Sequence, residues 1–209
     1  MKRQIDYTLY VCTDRDLMTT ETIEESVALA IQGGASVIQL REKNSTSREF
    51  YELAVRVKKI TEEYDVPLII NDRVDIALAV KAAGVHLGQS DLPIEKAREI
   101  LGEDAIIGAT ANKLSLAVNA WQEGADYLGV GDVFGSSTKH NTTAITLCNL
   151  REICESVDIP VVAIGGIKKE NVHLLRDTKI AGVAVISAVI GQTDIVQAGK
   201  NLISNFQEA

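Results

Sequence analysis

Short β-branched runs alternate along this chain with longer stretches whose apolar residues recur at three- and four-residue steps. The runs are Thr8–Thr13, Val37–Arg41, Leu68–Asp72, Val85–Gln89, Ile106–Thr110, Tyr127–Gly131, Val161–Gly165 and Val183–Ser187, and each reads as a strand. Between them the period changes to that of a helix. Arg48 to Tyr64 gathers Phe50, Leu53, Ala54, Val57 and Ile60 on one face, and Asn149 to Val157 does the same with Leu150, Ile153 and Cys154. The strands are apolar through most of their length instead of alternating, so both faces are buried, as in a parallel sheet covered by helices. Eight strand–helix units in 209 residues leave about 26 residues per unit, close to the smallest βα repeat. Glycines at Gly33-Gly34, Gly84, Gly124 and Gly182 lie where a helix hands over to a strand and predict left-handed helix ends. The pattern predicts an α/β fold, a single (β/α)8 TIM barrel domain over residues 1–209, with an open doubly wound sheet as the competing arrangement.

Charge narrows the choice of partner. Lys and Arg number 21 against 29 Asp and Glu, a net charge of −8 that disfavours nucleic acid but leaves room for a small phosphorylated ligand held by a few local cations. No apolar run approaches the roughly 20 residues that span a bilayer, and Met1-Lys2-Arg3-Gln4 does not open a signal peptide. Cys12, Cys148 and Cys154 form no C-x-x-C pair, which argues against a disulfide framework or a zinc knuckle and for a reducing cytoplasm. The expectation is a cytoplasmic protein with small-molecule partners, no nucleic acid and no membrane; a homo-oligomer is left open.

Chemistry is expected at the carboxyl ends of the strands, because a parallel barrel opens its active site there. Strand two ends Gln39-Leu40-Arg41-Glu42-Lys43. Side chains alternate faces, so if Leu40 meets the helices, Gln39, Arg41 and Lys43 point into the mouth, where two cations suit an anion such as phosphate. The competing reading is a rim salt-bridged to Glu42. Strands three and four end in Asp72 and, just beyond, Asp91. Neighbouring strands lie about 4.8 Å apart, so the two carboxylates can meet around Mg²⁺, which favours a couple of carboxylates plus phosphate oxygens and water. The bland alternative caps a helix with Asp91 and pairs Asp72 with Arg73. After strand six comes the polar loop Gly135-Ser136-Ser137-Thr138-Lys139-His140, whose hydroxyls and amides can cradle an oxyanion while Lys139 stabilises a leaving group. Gly165-Gly166 after strand seven and Ile186-Ser187 after strand eight predict a second phosphate site, with a helix N-terminus added by the loop that follows. His86 reads as a satisfied interior histidine, His173 as surface and Trp121 as packing.

The segments QLREK at 39–43, IINDRVDIALAVKAAGVHLGQSDLP at 69–93, YLGVGDVFGSSTK at 127–139, AIGGI at 163–167 and GVAVISAV at 182–189 resemble the thiamine-phosphate synthase family in order and spacing. The similarity runs from about Tyr7 to Ile195. It implies a (β/α)8 enzyme that joins a pyrimidine diphosphate to a thiazole phosphate, or to its carboxylated form, giving thiamine monophosphate and pyrophosphate with Mg²⁺ as cofactor. Carried over, Gln39, Leu40, Arg41, Glu42, Lys43 and Asn71 bind the pyrimidine diphosphate, and Asp72 and Asp91 hold the metal. Lys139 touches the diphosphate, with Arg41, Lys43 and Thr110 beside it as catalytic groups. Ser136, Ser137, Thr138, Gly165, Gly166, Ile186 and Ser187 take the thiazole phosphate. Three positions depart from the family's pattern. Thr110 stands in place of a serine and keeps the hydroxyl. Gly135-Ser136 replaces Pro-Thr and loosens that loop, and Asp132 adds a carboxylate near an anion site. A thiazole tautomerase of the same fold, which needs neither diphosphate nor metal, and a non-catalytic thiamine-phosphate sensor are the alternatives.

Overall fold

The computed structural model describes residues 4–135 and 145–207. Eight parallel strands, β1 (Leu9–Cys12), β2 (Val37–Leu40), β3 (Leu68–Asn71), β4 (Gly84–Leu87), β5 (Ile106–Ala111), β6 (Tyr127–Val130), β7 (Val161–Ile164) and β8 (Gly182–Val185), pair in chain order. Pairing of Tyr10 with Ala184 closes β1 onto β8, so the sheet is a barrel and not an open sheet. The helices on the outside are α1 (Ile23–Gln32), α2 (Ser47–Glu63), α3 (Val74–Val80), α4 (Ile94–Leu101), α5 (Leu114–Gln122), α6 (Leu147–Ser156) and α7 (Ile195–Gln207). The connection after β7 is a 3₁₀ segment, Val172–Thr178, where a full helix had been expected. No helix among the described residues is long and apolar enough to cross a membrane.

The start of α2 shows how local sequence sets a boundary. Thr46 accepts from the Glu49 amide while the Glu49 carboxylate accepts from the Thr46 amide, a reciprocal cap that satisfies two donors the first turn leaves open. Phe50, Leu53, Ala54 and Val57 then face the barrel, buried as the periodicity predicts.

Side-chain parity divides the core in two. Ile38, Leu40, Ile70, Val85, Leu87 and Leu128 point outward into the layer beneath the helices. Tyr10, Cys12, Val37, Ile69, Ile106, Tyr127 and Val162 point inward and fill the barrel. The glycine expectation holds in part. Gly34 and Gly124 take left-handed φ of 99° and 92° after α1 and α5. Gly84 and Gly182 instead open β4 and β8, and Lys81 and Lys179 adopt the left-handed conformation before them. A β-carbon at Gly84 would sit 1.8 Å from the Ile106 carbonyl oxygen, so close strand contact, not a helix end, demands glycine there.

Candidate active site

A cavity of about 530 Å³ opens at the carboxyl ends of the strands. Parity on β2 works as expected: Leu40 is wholly buried under the helices, while Gln39, Arg41 and Lys43 line the cavity. Glu42 turns away to Arg15, at 3.1 Å. Of the five residues carried over from this segment, Leu40 and Glu42 bring no side chain to the cavity. Nor does Glu42 neutralise the two cations. Arg41 Nη1 instead donates to Asp14 Oδ2 at 2.7 Å, and the Asp14 carboxylate, 7% exposed, also accepts from the Asp16 amide. That anchor holds the guanidinium in one orientation. The sequence reading missed Asp14; its signal is a carboxylate two residues past Cys12, the last inward position of the strand beside β2, and so of the same parity.

Lys43 pairs with Asp72. Asp72 Oδ1 accepts from Asn71 Nδ2 at 2.6 Å, and the Asp72 amide donates to the His86 carbonyl at 2.9 Å. With φ of 62° the backbone turns off β3 at Asp72, a left-handed residue that aspartate tolerates better than most. The alternative pairing of Asp72 with Arg73 does not form, since Arg73 binds Asp75. Asp91 is no helix cap either: α4 starts after Pro93, and Asp91 Oδ2 accepts from the Gly88 amide at 2.6 Å. Partial burial raises the Asp91 carboxyl above its ordinary range; the Gly88 amide opposes this, and the charge of Asp72 adds to it. The two carboxylates thus meet, and Lys43 pairs with Asp72. Among the described residues no group of three or more His, Cys, Asp and Glu can hold a metal. Two adjacent carboxylates short of positive charge fit a hard divalent ion that takes its remaining ligands from substrate and water, the habit of Mg²⁺.

Across the mouth, Gly165 and Gly166 have φ of 107° and 63°. A β-carbon at Gly165 would lie 2.0 Å from Asp132 Oδ1, and one at Gly166 would lie 2.3 Å from the Gly135 carbonyl oxygen. The β6 loop therefore rests directly on the β7 turn, and the buried Asp132 carboxylate lies against the glycines. Ile186 and Ser187 line the same side. The chain after β8 makes one turn, with the Val189 and Ile190 amides donating to the Ile186 carbonyl at 3.1 and 3.0 Å, and α7 begins only at Ile195. The helix N-terminus expected there is a single turn. Lys168 also lines this wall, a cation the sequence reading missed although it is the first one after the paired glycines. Ser136, Ser137, Thr138 and Lys139 lie outside the described residues, as does His140.

The floor of the cavity is polar. Gln39 Nε2 donates to Tyr10 Oη at 2.7 Å, and Tyr10 Oη and Tyr127 Oη are 2.7 Å apart. His86 bonds through Nδ1 to Tyr127 Oη and through Nε2 to Thr110 Oγ1, both at 2.9 Å. His86 is a satisfied interior histidine, as expected, but it sits on the cavity wall.

A parallel barrel with cations, paired carboxylates and a glycine turn around one mouth belongs to the class of (β/α)8 enzymes that handle phosphorylated small molecules. The particular family follows from comparison with known proteins: the chain belongs to the thiamine monophosphate synthase family, whose model matches residues 9–189. It is 51% identical to a thiamine-phosphate synthase of Clostridium botulinum over 100% of this chain and 98% of that one. A thiamine-phosphate synthase of Ruminiclostridium cellulolyticum is 52% identical over 99% of this chain and 98% of its own. The solved thiamine phosphate pyrophosphorylase of Pyrococcus furiosus superposes with a TM-score of 0.89 at 47% identity, covering 97% of this chain and 96% of that one. Membership makes this chain a transferase that forms thiamine phosphate.

Proposed function

We propose that the barrel joins 4-amino-2-methyl-5-(diphosphooxymethyl)pyrimidine to 4-methyl-5-(2-phosphoethyl)thiazole, or to its carboxylated form, by a dissociative substitution. The observation that carries this reading is the convergence of Arg41, Lys43, Asp72 and Asp91 on one cavity that also receives the Gly165–Gly166 turn and Lys168. One side suits a diphosphate and the other a monophosphate. Mg²⁺, held by Asp72 and Asp91, would supply positive charge to the departing diphosphate.

Asn71 and Gln39 bind and orient the pyrimidine diphosphate. Arg41, fixed by Asp14, presents its fork to the phosphate oxygens, and Lys43 and Lys139 add point charges. The carbon–oxygen bond at the pyrimidine methylene breaks, its electron pair leaves with pyrophosphate, and the electron-rich aminopyrimidine spreads the positive charge left on carbon. The thiazole nitrogen then donates its lone pair to that carbon. Ser136, Ser137, Thr138, Gly165, Gly166, Ile186 and Ser187 hold the thiazole phosphate so that the nitrogen faces the methylene. With the uncarboxylated thiazole no proton moves in forming the carbon–nitrogen bond; the carboxylated form also loses CO₂, and the carbon that kept its electron pair takes a proton from solvent. No protein nucleophile is needed in either case, so positioning and electrostatics carry the rate enhancement.

The test is pyrophosphate release from the two substrates with and without Mg²⁺. Release that stops in EDTA and in Asp72→Ala is expected. Thiazole isomerisation indifferent to EDTA would replace this reading with a tautomerase, and tight product binding without release would replace it with a sensor.

A further inference from the structure

Five side chains from five strands form an unbroken relay across the cavity floor, in the order Gln39, Tyr10, Tyr127, His86, Thr110. Such a chain has two polarities, and the group at its end decides between them. Gln39 presents its amide nitrogen, which can only donate. Tyr10 therefore accepts from Gln39, and each hydroxyl has a single proton to pass on. In the polarity that gives each buried phenol proton an acceptor within the relay, Tyr10 donates to Tyr127 and Tyr127 donates to His86 Nδ1. With Tyr127 donating to Nδ1, a neutral ring carries its hydrogen on Nε2 and donates it to Thr110 Oγ1. The Thr110 hydroxyl proton is left for the cavity that Thr110 lines. Burial pushes both Tyr10 and Tyr127 well above the ordinary phenol range, so both hydroxyls keep the proton the relay requires.

A second observation shows that neighbouring strands leave room for this arrangement. His86 pairs with Gly108, Gly108 with Tyr127, and Thr110 with Gly129 across β4, β5 and β6. A β-carbon at Gly108 would fall 2.1 Å from Tyr127 Cζ, and one at Gly129 would fall 2.9 Å from His86 Cε1. The missing methyls are the space through which the phenol reaches the imidazole and the imidazole reaches the threonine.

We infer that the relay sets the direction of the Thr110 hydroxyl, making it a donor to an anionic ligand oxygen, with His86 as the positioning residue. On the function proposed above, the recipient is an oxygen of the departing diphosphate. Opposite polarity would turn a lone pair toward that oxygen and oppose departure.

The first test needs no turnover: ¹⁵N-histidine NMR of the unmodified protein, with the His86 signal assigned by its loss in His86→Gln. Hydrogen on Nε2 is expected, and hydrogen on Nδ1 overturns the inference. The second is kinetic. His86→Leu removes the donor and lowers kcat by about 10²-fold, with KM for the diphosphate substrate within about threefold. His86→Gln, which restores an amide donor near the Nε2 position, recovers at least about tenfold of that loss. Equal impairment of the two variants would reduce His86 to a packing role and overturn the inference. Absence of pyrophosphate release from the unmodified enzyme would sink the proposed function instead and leave the NMR result standing.

Discussion

The two ends of this barrel treat charge in opposite ways. At the closed end, Arg98 of α4 donates to Asp126 Oδ2 at 2.6 Å, to the Gly124 and Gly102 carbonyls at 3.1 and 3.3 Å and to the Ala105 carbonyl. Asp126 Oδ2 also accepts from the Ile107 amide at 2.8 Å. These bonds tie α4 to the beginnings of β5 and β6. At the open mouth the matching is incomplete: Lys43 pairs with Asp72, and Asp91 is held above the ordinary carboxyl range. The same residue types thus fasten the chain where their valences are filled and leave it reactive to ions where they are not.

The comparison breaks most easily at the mouth. Asp72→Asn, which keeps a side chain tolerant of the left-handed backbone, should lower the rate of pyrophosphate release on the order of 10³-fold, while the melting temperature stays within about 2 °C of the parent. A parallel fall in both would mean that the mouth carriers are structural after all. Arg98→Ala should do the reverse. It removes the ion pair and leaves Asp126 with the Ile107 amide, costs about 2 kcal/mol and lowers the melting temperature by roughly 4–8 °C, yet kcat of the folded fraction stays put. Calorimetry beside steady-state assays separates the two.

Lys168→Ala sharpens the contrast within the mouth itself. Losing one charge-assisted contact to the monophosphate should raise KM for the thiazole substrate about tenfold, or about 1.4 kcal/mol, with KM for the pyrimidine diphosphate unmoved. Initial rates at crossed substrate concentrations decide it. The smallest effect is expected from Asp91→Asn. The folded pKa of Asp91 lies above its unfolded value, so the folded chain binds that proton more tightly and loses stability as pH rises past the ordinary carboxylate range. Removing the charge should raise the melting temperature by about 1–2 °C at neutral pH in metal-free buffer. The gain should fade toward about pH 4, and thermal melts across that range check the sign.

What was legible beforehand follows the reach of local rules. The strands could be read because burial on both faces writes them as continuous apolar runs. The inward set Gln39, Arg41 and Lys43 could be read because parity needs only one reference residue, Leu40. Asp72 and Asp91 could be brought together because consecutive parallel strands are neighbours. The floor was not legible in this way. Tyr10 meets Tyr127 only because closure sets β1 and β6 facing each other across the interior, a distance no pairing rule along the chain supplies. The anchoring of Arg41 by Asp14 and the missing cap at Asp91 were decided by loop geometry of a few ångströms, to which hydrophobic period is blind.

The two absent methyls at positions 108 and 129 also bear on any attempt to retool this enzyme for bulkier heterocycles. Because Gly108 accommodates a ring from the next strand and Gly129 one from two strands away, residues 86, 108, 127 and 129 form one packing set. Libraries that randomise them singly will return misfolded clones, whereas paired exchanges, a larger side chain on one strand offset by a smaller one on the next, keep the volume constant and so explore pocket shapes that a one-site scan never reaches.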